Sequence, residues 1–218
     1  MSAAGDGEAG TVFRSIGVIR LRMATDGEGV TTLVGGHGCP LACRYCLNPQ
    51  CGREDGLLET LDAETLYARV KRDDLYYLAT GGGVTFGGGE PLLQSAFLSD
   101  FIRMCRERGH TEWKFSLETS LAVPNGALAR LDGLIDRYIV DCKDMTPEIY
   151  RAYTGKTPEY LFENLAYLAA RCPEKVTVRV PLIPGFNTDA DRDASAARLR
   201  EMGFSNLDLF DYRMPEKK

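Results

Sequence analysis

The sequence predicts an α/β protein, a partial (β/α)6 barrel in which a parallel sheet is covered by outer helices. Three observations carry that prediction. Short β-rich runs, about six of them, alternate with segments of helical period along the chain, as crossover helices between parallel strands require. No repeat, linker or low-complexity tract breaks this alternation after residue 10, so residues 11–218 read as one domain. The glycine-, proline- and acid-rich punctuation falls at predicted strand ends, where folds of this class gather their chemistry.

In order, residues 1–10 are small, polar and glycine-rich, and are expected to be a disordered tail. Val18-Ile19-Arg20-Leu21-Arg22 alternates apolar and polar as a half-exposed strand does. Asp26-Gly27-Glu28-Gly29 is a turn signal, and Val30 to Val34 is β-rich again. A helix is predicted over 62–72, where Leu66, Tyr67 and Val70 share a face, then a short strand Gly83 to Phe86. Phe97, Leu98, Phe101, Ile102 and Cys105 recur at helical spacing over 95–108. Trp113 to Leu117 and Leu134 to Cys142 read as strands flanking a short helix over 124–131. Thr146-Pro147-Glu148 is an N-cap with proline at the first helical position. A helix over 160–171, a strand from Val176 to Ile183, a helix over 189–201 and a strand from Leu207 to Phe210 complete the series.

The chain has 218 residues, 44% of them hydrophobic and 26% charged, ordinary figures for a soluble globular protein. Its formal net charge of −5 gives no electrostatic case for binding nucleic acid or a membrane surface. No long apolar run and no N-terminal apolar region appears, so a cytoplasmic protein is expected. Seven cysteines, an odd number in such a protein, argue against a disulfide framework. Cys105, Cys142 and Cys172 are scattered and read as packing positions, whereas Cys39, Cys43, Cys46 and Cys51 crowd one loop.

That loop, Cys39-Pro40-Leu41-Ala42-Cys43-Arg44-Tyr45-Cys46, follows Gly35-Gly36-His37-Gly38 at the end of a strand. Thiolate sulfur suits iron–sulfur clusters or zinc. A closed zinc site needs four ligands, and the fourth would be Cys51, His37 or something distant. Three close thiolates with a free fourth position are what a catalytic 4Fe–4S cluster needs, because its open iron can bind a substrate or cofactor. Cys51 reads as a small residue or as a ligand of a second cluster, and His37 as a residue that caps or lines the loop.

The C-x3-C-x-aromatic-C pattern, with Tyr45 at the aromatic position, resembles the signature of the radical S-adenosylmethionine (SAM) enzymes. Gly88-Gly89-Glu90-Pro91 is similar to that family's GGE motif. The likeness narrows to the activating enzymes of glycyl radical enzymes, of the pyruvate formate-lyase activase kind, and covers roughly residues 15 to 213. Asp26-Gly27-Glu28-Gly29-Val30 resembles their DGPG turn, with Glu28 in place of proline and Thr31 where many have arginine. Tyr45-Cys46-Leu47-Asn48-Pro49 looks like their YC-x-N-P continuation. Asp141-Cys142-Lys143-Asp144-Met145 resembles D-L-K-x-M, and Val180-Pro181-Leu182-Ile183-Pro184-Gly185-Phe186-Asn187 their R-x-P-hydrophobic-PG-x-N segment.

The resemblance implies an oxidoreductase that holds a 4Fe–4S cluster through Cys39, Cys43 and Cys46 and reductively cleaves SAM. The radical formed would take a hydrogen from a glycine Cα of a partner glycyl radical enzyme. It further implies that Gly88, Gly89 and Glu90 meet the methionyl amino group, that Lys143 reaches the SAM carboxylate, and that the backbone around Tyr45 meets adenine. Arg179 would contact SAM or peptide. Glu118 and Thr119 match an aspartate–threonine pair that touches the ribose and, with Asp141, a monovalent cation; Glu118 is one methylene longer than that aspartate. As residues alone, Lys143 and Asp141 read rather as a surface ion pair and Arg179 rather as a structural ion-pair partner, while Glu118 fits a helix-entry acid equally well.

A flavodoxin or ferredoxin as electron donor, anaerobic chemistry and a monomer that docks its partner are further implications. Two departures stand out. Arg213 falls where the family has a histidine beside SAM, and the chain stops at Lys218, where typical members carry a further helix, so a short homologue or a less closed barrel wall is expected. Two rival functions remain at this level: a radical SAM enzyme acting on a peptide or small molecule, and a non-catalytic iron–sulfur or zinc module.

Overall fold

A computed structural model describes residues 12–23 and 27–212. The expectations for residues 1–10, for the start of the turn at Asp26 and for Arg213 lie outside the described residues. Eight strands form one sheet: β1 (Val12–Met23), β2 (Val30–Gly36), β3 (Glu59–Asp62), β4 (Gly83–Gly88), β5 (Lys114–Thr119), β6 (Arg137–Asp141), β7 (Val176–Leu182) and β8 (Asn206–Asp211). Their order is β3-β1-β2-β4-β5-β6-β7-β8. From β2 to β8 every neighbouring pair is parallel. These six parallel strands are the expected partial barrel, and the sheet ends at β3 and β8 without closing.

β1 contains the strand predicted at Val18 to Arg22, but its antiparallel place at one edge and the whole of β3 lie beyond the expectation. β1 pairs with β2 across a short connection, which leaves no room for a crossover helix and so dictates a hairpin. β3 then adds to the first residues of β1, pairing Val12 with Asp62 and Ser15 with Glu59.

The helices are α1 (Ala63–Val70), α2 (Asp74–Thr80), α3 (Ser95–Glu107), α4 (Asn125–Ala129), α5 (Pro147–Thr154), α6 (Glu159–Arg171) and α7 (Asp189–Glu201). On α3 the five apolar residues spaced at helical period are all buried. Phe97 and Phe101 stack with ring planes 9° apart, and Phe86 of β4 meets Phe101 edge to face at 6.0 Å. Such contacts between ring and sheet bind helix to strand more firmly than area alone.

Helix α2 escapes sequence reading because its periodicity is inverted. Leu75, Tyr76 and Leu78 face solvent, and only Tyr77 is buried, donating its hydroxyl to Thr32. Its start is fixed by Asp73, fully buried, which accepts from Arg20 at 2.9 Å and from Thr32 at 2.7 Å. Helix α5 begins at Pro147 as predicted, but Thr146 makes no side-chain cap. Asp144 instead holds the residue just before the helix, accepting the Thr146 amide at 2.8 Å. Among the described residues no helix is long and apolar enough to cross a membrane.

Candidate active site

Parallel strands bring their carboxyl ends to one edge, so the loops after β2, β4, β5 and β6 face a common space. A cavity of about 250 Å³ lies there. Ten of the twelve candidate residues line it: Cys39, Cys43, Cys46, Gly88, Gly89, Glu118, Thr119, Asp141, Lys143 and Arg179. Tyr45 and Glu90 do not.

The cysteine loop is clamped between two elements. On one side the Ala42 and Arg44 amides donate to the Thr154 and Tyr153 carbonyls at the end of α5, at 2.9 and 3.1 Å. On the other the Glu90 and Gly89 amides donate to the Gly38 and Gly36 carbonyls, at 2.8 and 3.0 Å. Asn48 adds a side-chain donor to the Gly88 carbonyl at 3.2 Å. Only glycine fits this seam. Gly88 sits at φ +89°, and a Cβ on Gly89 would stand 2.2 Å from the Gly38 carbonyl oxygen. His37 ties the loop from outside, with its Nε2 2.7 Å from the Arg53 carbonyl, and does not face the cavity.

The thiols are set up as ligands. Contact with the Cys51 thiol, and then the Leu41 amide, holds the Cys39 pKa below that of an ordinary thiol. The same thiol, with the Asn48 amide and the Lys143 charge, brings Cys46 down to about 6. Burial pushes Cys43 up to about 11, with Lys143 opposing. Thiolate, the form that binds metal, is thus favoured at Cys39 and Cys46 and opposed by burial at Cys43.

Glu90 departs from its expected place. It is 0% exposed and turned away from the cavity. Its Oε1 accepts the Thr119 hydroxyl at 2.7 Å and the Leu92 amide at 3.2 Å, and its Oε2 the Ser120 amide and hydroxyl at 2.9 and 2.6 Å. Burial raises its pKa, with the Ser120 and Thr119 donors opposing. With four donors already gathered, the carboxylate holds the loop, and the Gly88–Gly89 backbone is what faces the cavity. Thr119 lines the cavity, but its hydroxyl is already engaged, donating to Glu90 and accepting the Leu121 amide at 2.9 Å.

The charged groups form one chain. Arg179 donates through Nε to Asp141 at 2.6 Å and through Nη2 to Glu118, and Lys143 donates to Asp141 at 2.8 Å. Burial works against the charge on Asp141, but Lys143 and Arg179 outweigh it and hold the carboxyl below the usual range. Arg179 is thus the cation between Glu118 and Asp141, the place where a monovalent ion was expected. The surface-pair reading of Asp141 and Lys143 falls, because both are largely buried and line the cavity.

Tyr45 lies behind the loop in an aromatic group with Tyr153, Phe186 and Tyr212. Its hydroxyl donates to the Pro184 carbonyl at 3.2 Å and its own carbonyl accepts the Tyr212 hydroxyl. Tyr212 and Phe210 line the cavity at the β8 end. Sequence reading missed Ser120, Phe210 and the place of Cys51. The last had a signal, a fourth cysteine five residues after Cys46, but not its direction: a 3-10 turn over Pro49–Gly52 folds it back under the loop.

Comparison with known proteins gives the family. The profile of the Radical SAM superfamily matches residues 33–199, and the chain belongs to that family. It is therefore a radical SAM enzyme, whose cofactors are a 4Fe–4S cluster and SAM, and the donor set above fits a thiolate-bound cluster. The chain is 33% identical to the (2S)-3-sulfopropanediol dehydratase activating enzyme of Klebsiella oxytoca, over 88% of this chain and 80% of that one. It is 32% identical to the pyruvate formate-lyase 1-activating enzyme of Escherichia coli K12, over 92% and 78%. It is 34% identical to the indoleacetate decarboxylase activating enzyme of Tractidigestivibacter scatoligenes, over 71% of this chain but only 48% of that one, so it spans about half of that relative. Among solved structures, Streptococcus suis SuiB bound to precursor peptide SuiA superposes with a TM-score of 0.63 at 14% identity, over 85% of this chain and 41% of that one. That likeness is one of fold.

Proposed function

We propose that this protein activates a glycyl radical enzyme. The observation that carries the proposal is the convergence of the three cysteines, the Gly88–Gly89 backbone and the Glu118–Arg179–Asp141–Lys143 chain on one cavity. Relatives named as activating enzymes, matched over most of their length, supply the reaction class.

Cys39, Cys43 and Cys46 would hold the cluster. When bound and reduced, the cluster supplies the electron that splits SAM into methionine and a 5′-deoxyadenosyl radical, which takes a hydrogen atom from a glycine Cα. The chain's residues bind and orient. Lys143 offers its ammonium to the carboxylate of SAM, and the Gly88–Gly89 backbone lets the amino group approach closely. Glu118 offers an acceptor for the ribose hydroxyls. Arg179 balances Glu118 and Asp141, so a monovalent ion there would have to displace it. Tyr153, Phe210 and Tyr212 supply apolar wall on the β8 side, excluding water from a reactive intermediate. A low-potential flavodoxin or ferredoxin as donor, action as a monomer and a cytoplasmic location complete the proposal.

The test is reductive cleavage. Reconstituted wild-type protein should release 5′-deoxyadenosine from SAM under a strong reductant, and Cys43→Ala protein should bind no stable cluster and release none. Cleavage by Cys43→Ala at the wild-type rate would sink the reading.

A further inference from the structure

The open sheet has two ends, and they are built differently. At one, the last strand β3 is only four residues long and covers Val12 to Ser15 of β1. Beyond it the pairing of β1 with β2 shifts register between Ser15 and Gly17 and again between Ile19 and Arg22, and Leu21 stands at φ +54°. Short edge strands and bulges of this kind stop a further strand from adding. β8, at the other end, lacks both devices. Asn206 to Asp211 lie opposite Thr177 to Leu182 in unbroken register, and the sequence NLDLFD holds no proline, lysine or arginine.

The direction of the β8 main chain is fixed. The Tyr212 amide donates to the Leu182 carbonyl at 2.9 Å. Strand hydrogen bonds repeat every second residue, so Asp208 and Phe210 also turn their main-chain groups to β7. Leu207, Leu209 and Asp211 turn theirs away from it. β8 is the last strand of the sheet, and among the described residues those three have no main-chain partner on the outer side. The edge is also continuous with the site. Phe210 and Tyr212 line the cavity, and Asp208, on the same face of the strand, is exposed. A strand added along β8 carries every second residue on that face, and the Asp208 carboxylate suits a basic side chain there.

We propose that the partner enzyme's glycine-bearing segment binds as an added strand on the β8 edge, its main chain bonded to Leu207, Leu209 and Asp211 and its glycine on the cavity face. The proposal deepens the function given above and rests on it. Main-chain pairing gives affinity for an extended segment, and the side chains of Phe210, Tyr212 and Asp208 give selection.

The experiment uses the reconstituted protein with SAM and the glycyl radical enzyme in which wild type raises a radical signal. Amide hydrogen exchange is read residue by residue, before reduction. The Leu207, Leu209 and Asp211 amides should exchange quickly in the protein alone and about tenfold or more slowly in the mixture, while Asp208 and Phe210 are protected in both. Leu209→Pro removes one outward N–H and spares the bonds to β7, as proline on an edge strand does. It should raise the KM for the partner about tenfold, with Leu209→Ala near wild type. Release of 5′-deoxyadenosine under a strong reductant without partner should be unchanged in both. If Leu209→Pro fails to fold, the exchange pattern of wild type decides alone. Outer amides that stay fast with the partner bound, or equal KM values for the proline and alanine variants, overturn the proposal and leave the function standing. Outer amides already slow in a dimer of this chain also overturn it, by giving the edge to a second copy. Failure to raise a radical in any glycyl radical enzyme overturns both.

Discussion

At the scale of single residues, Glu90 is the position where chemistry and architecture are most easily confused. A carboxylate after paired glycines at a strand end suggests a group waiting for an ammonium. The structure gives that carboxylate four internal donors and no face on the cavity. Glu90→Gln replaces one acceptor oxygen by an NH2 that must face a donor, so a buried N–H loses its bond at a cost of about 1–3 kcal/mol. Denaturant unfolding of the cluster-free variant should show that loss. Full stability combined with abolished SAM binding would mean instead that the carboxylate touches the ligand. The signature cysteines were legible in residue type and spacing, whereas Lys143 and Asp141 were legible only through the family resemblance, since as residues alone they read as a surface pair. The direction of a side chain was not legible, since Thr119, Glu90 and Cys51 each take it from partners far apart in sequence.

At the scale of elements, the site is held from behind by a buried staple. Asp144, 1% exposed, follows directly on Lys143. It accepts the Thr146 amide at 2.8 Å, the Asn187 side chain at 3.0 Å and the Ser195 hydroxyl at 3.3 Å. One carboxylate thus ties the end of β6 to the start of α5, the loop after β7 and helix α7. Asn187 extends the staple by accepting the Ile183 amide at 2.6 Å and donating to the Pro181 carbonyl at 3.0 Å. Asp144→Ala should destabilise the cluster-free protein by at least the about 1–3 kcal/mol of an orphaned buried donor, read as a lower Tm. A Tm equal to wild type would show that the staple carries no load. Helix α3 and the inner parallel strands were legible because burial enforces their patterns. Helix α2 was not, because it turns Leu75 and Leu78 outward, and β3 was not, because four residues hold too little pattern.

At the scale of the whole molecule, six parallel strands aim their carboxyl ends at one edge, and an antiparallel pair extends the sheet beyond β2 without closing it. The open side is consistent with a substrate that is itself part of a large protein, because a glycine in a folded partner must reach the cavity. The account predicts a specific atom transfer, and one measurement follows it directly. The reconstituted protein, reduced anaerobically with SAM, is mixed with a candidate partner enzyme whose glycines carry deuterium at Cα. The account predicts one deuterium delivered to the 5′ carbon of 5′-deoxyadenosine and a glycyl radical signal in the partner by electron paramagnetic resonance. 5′-Deoxyadenosine without deuterium, from every candidate partner and with no radical in any of them, would contradict it.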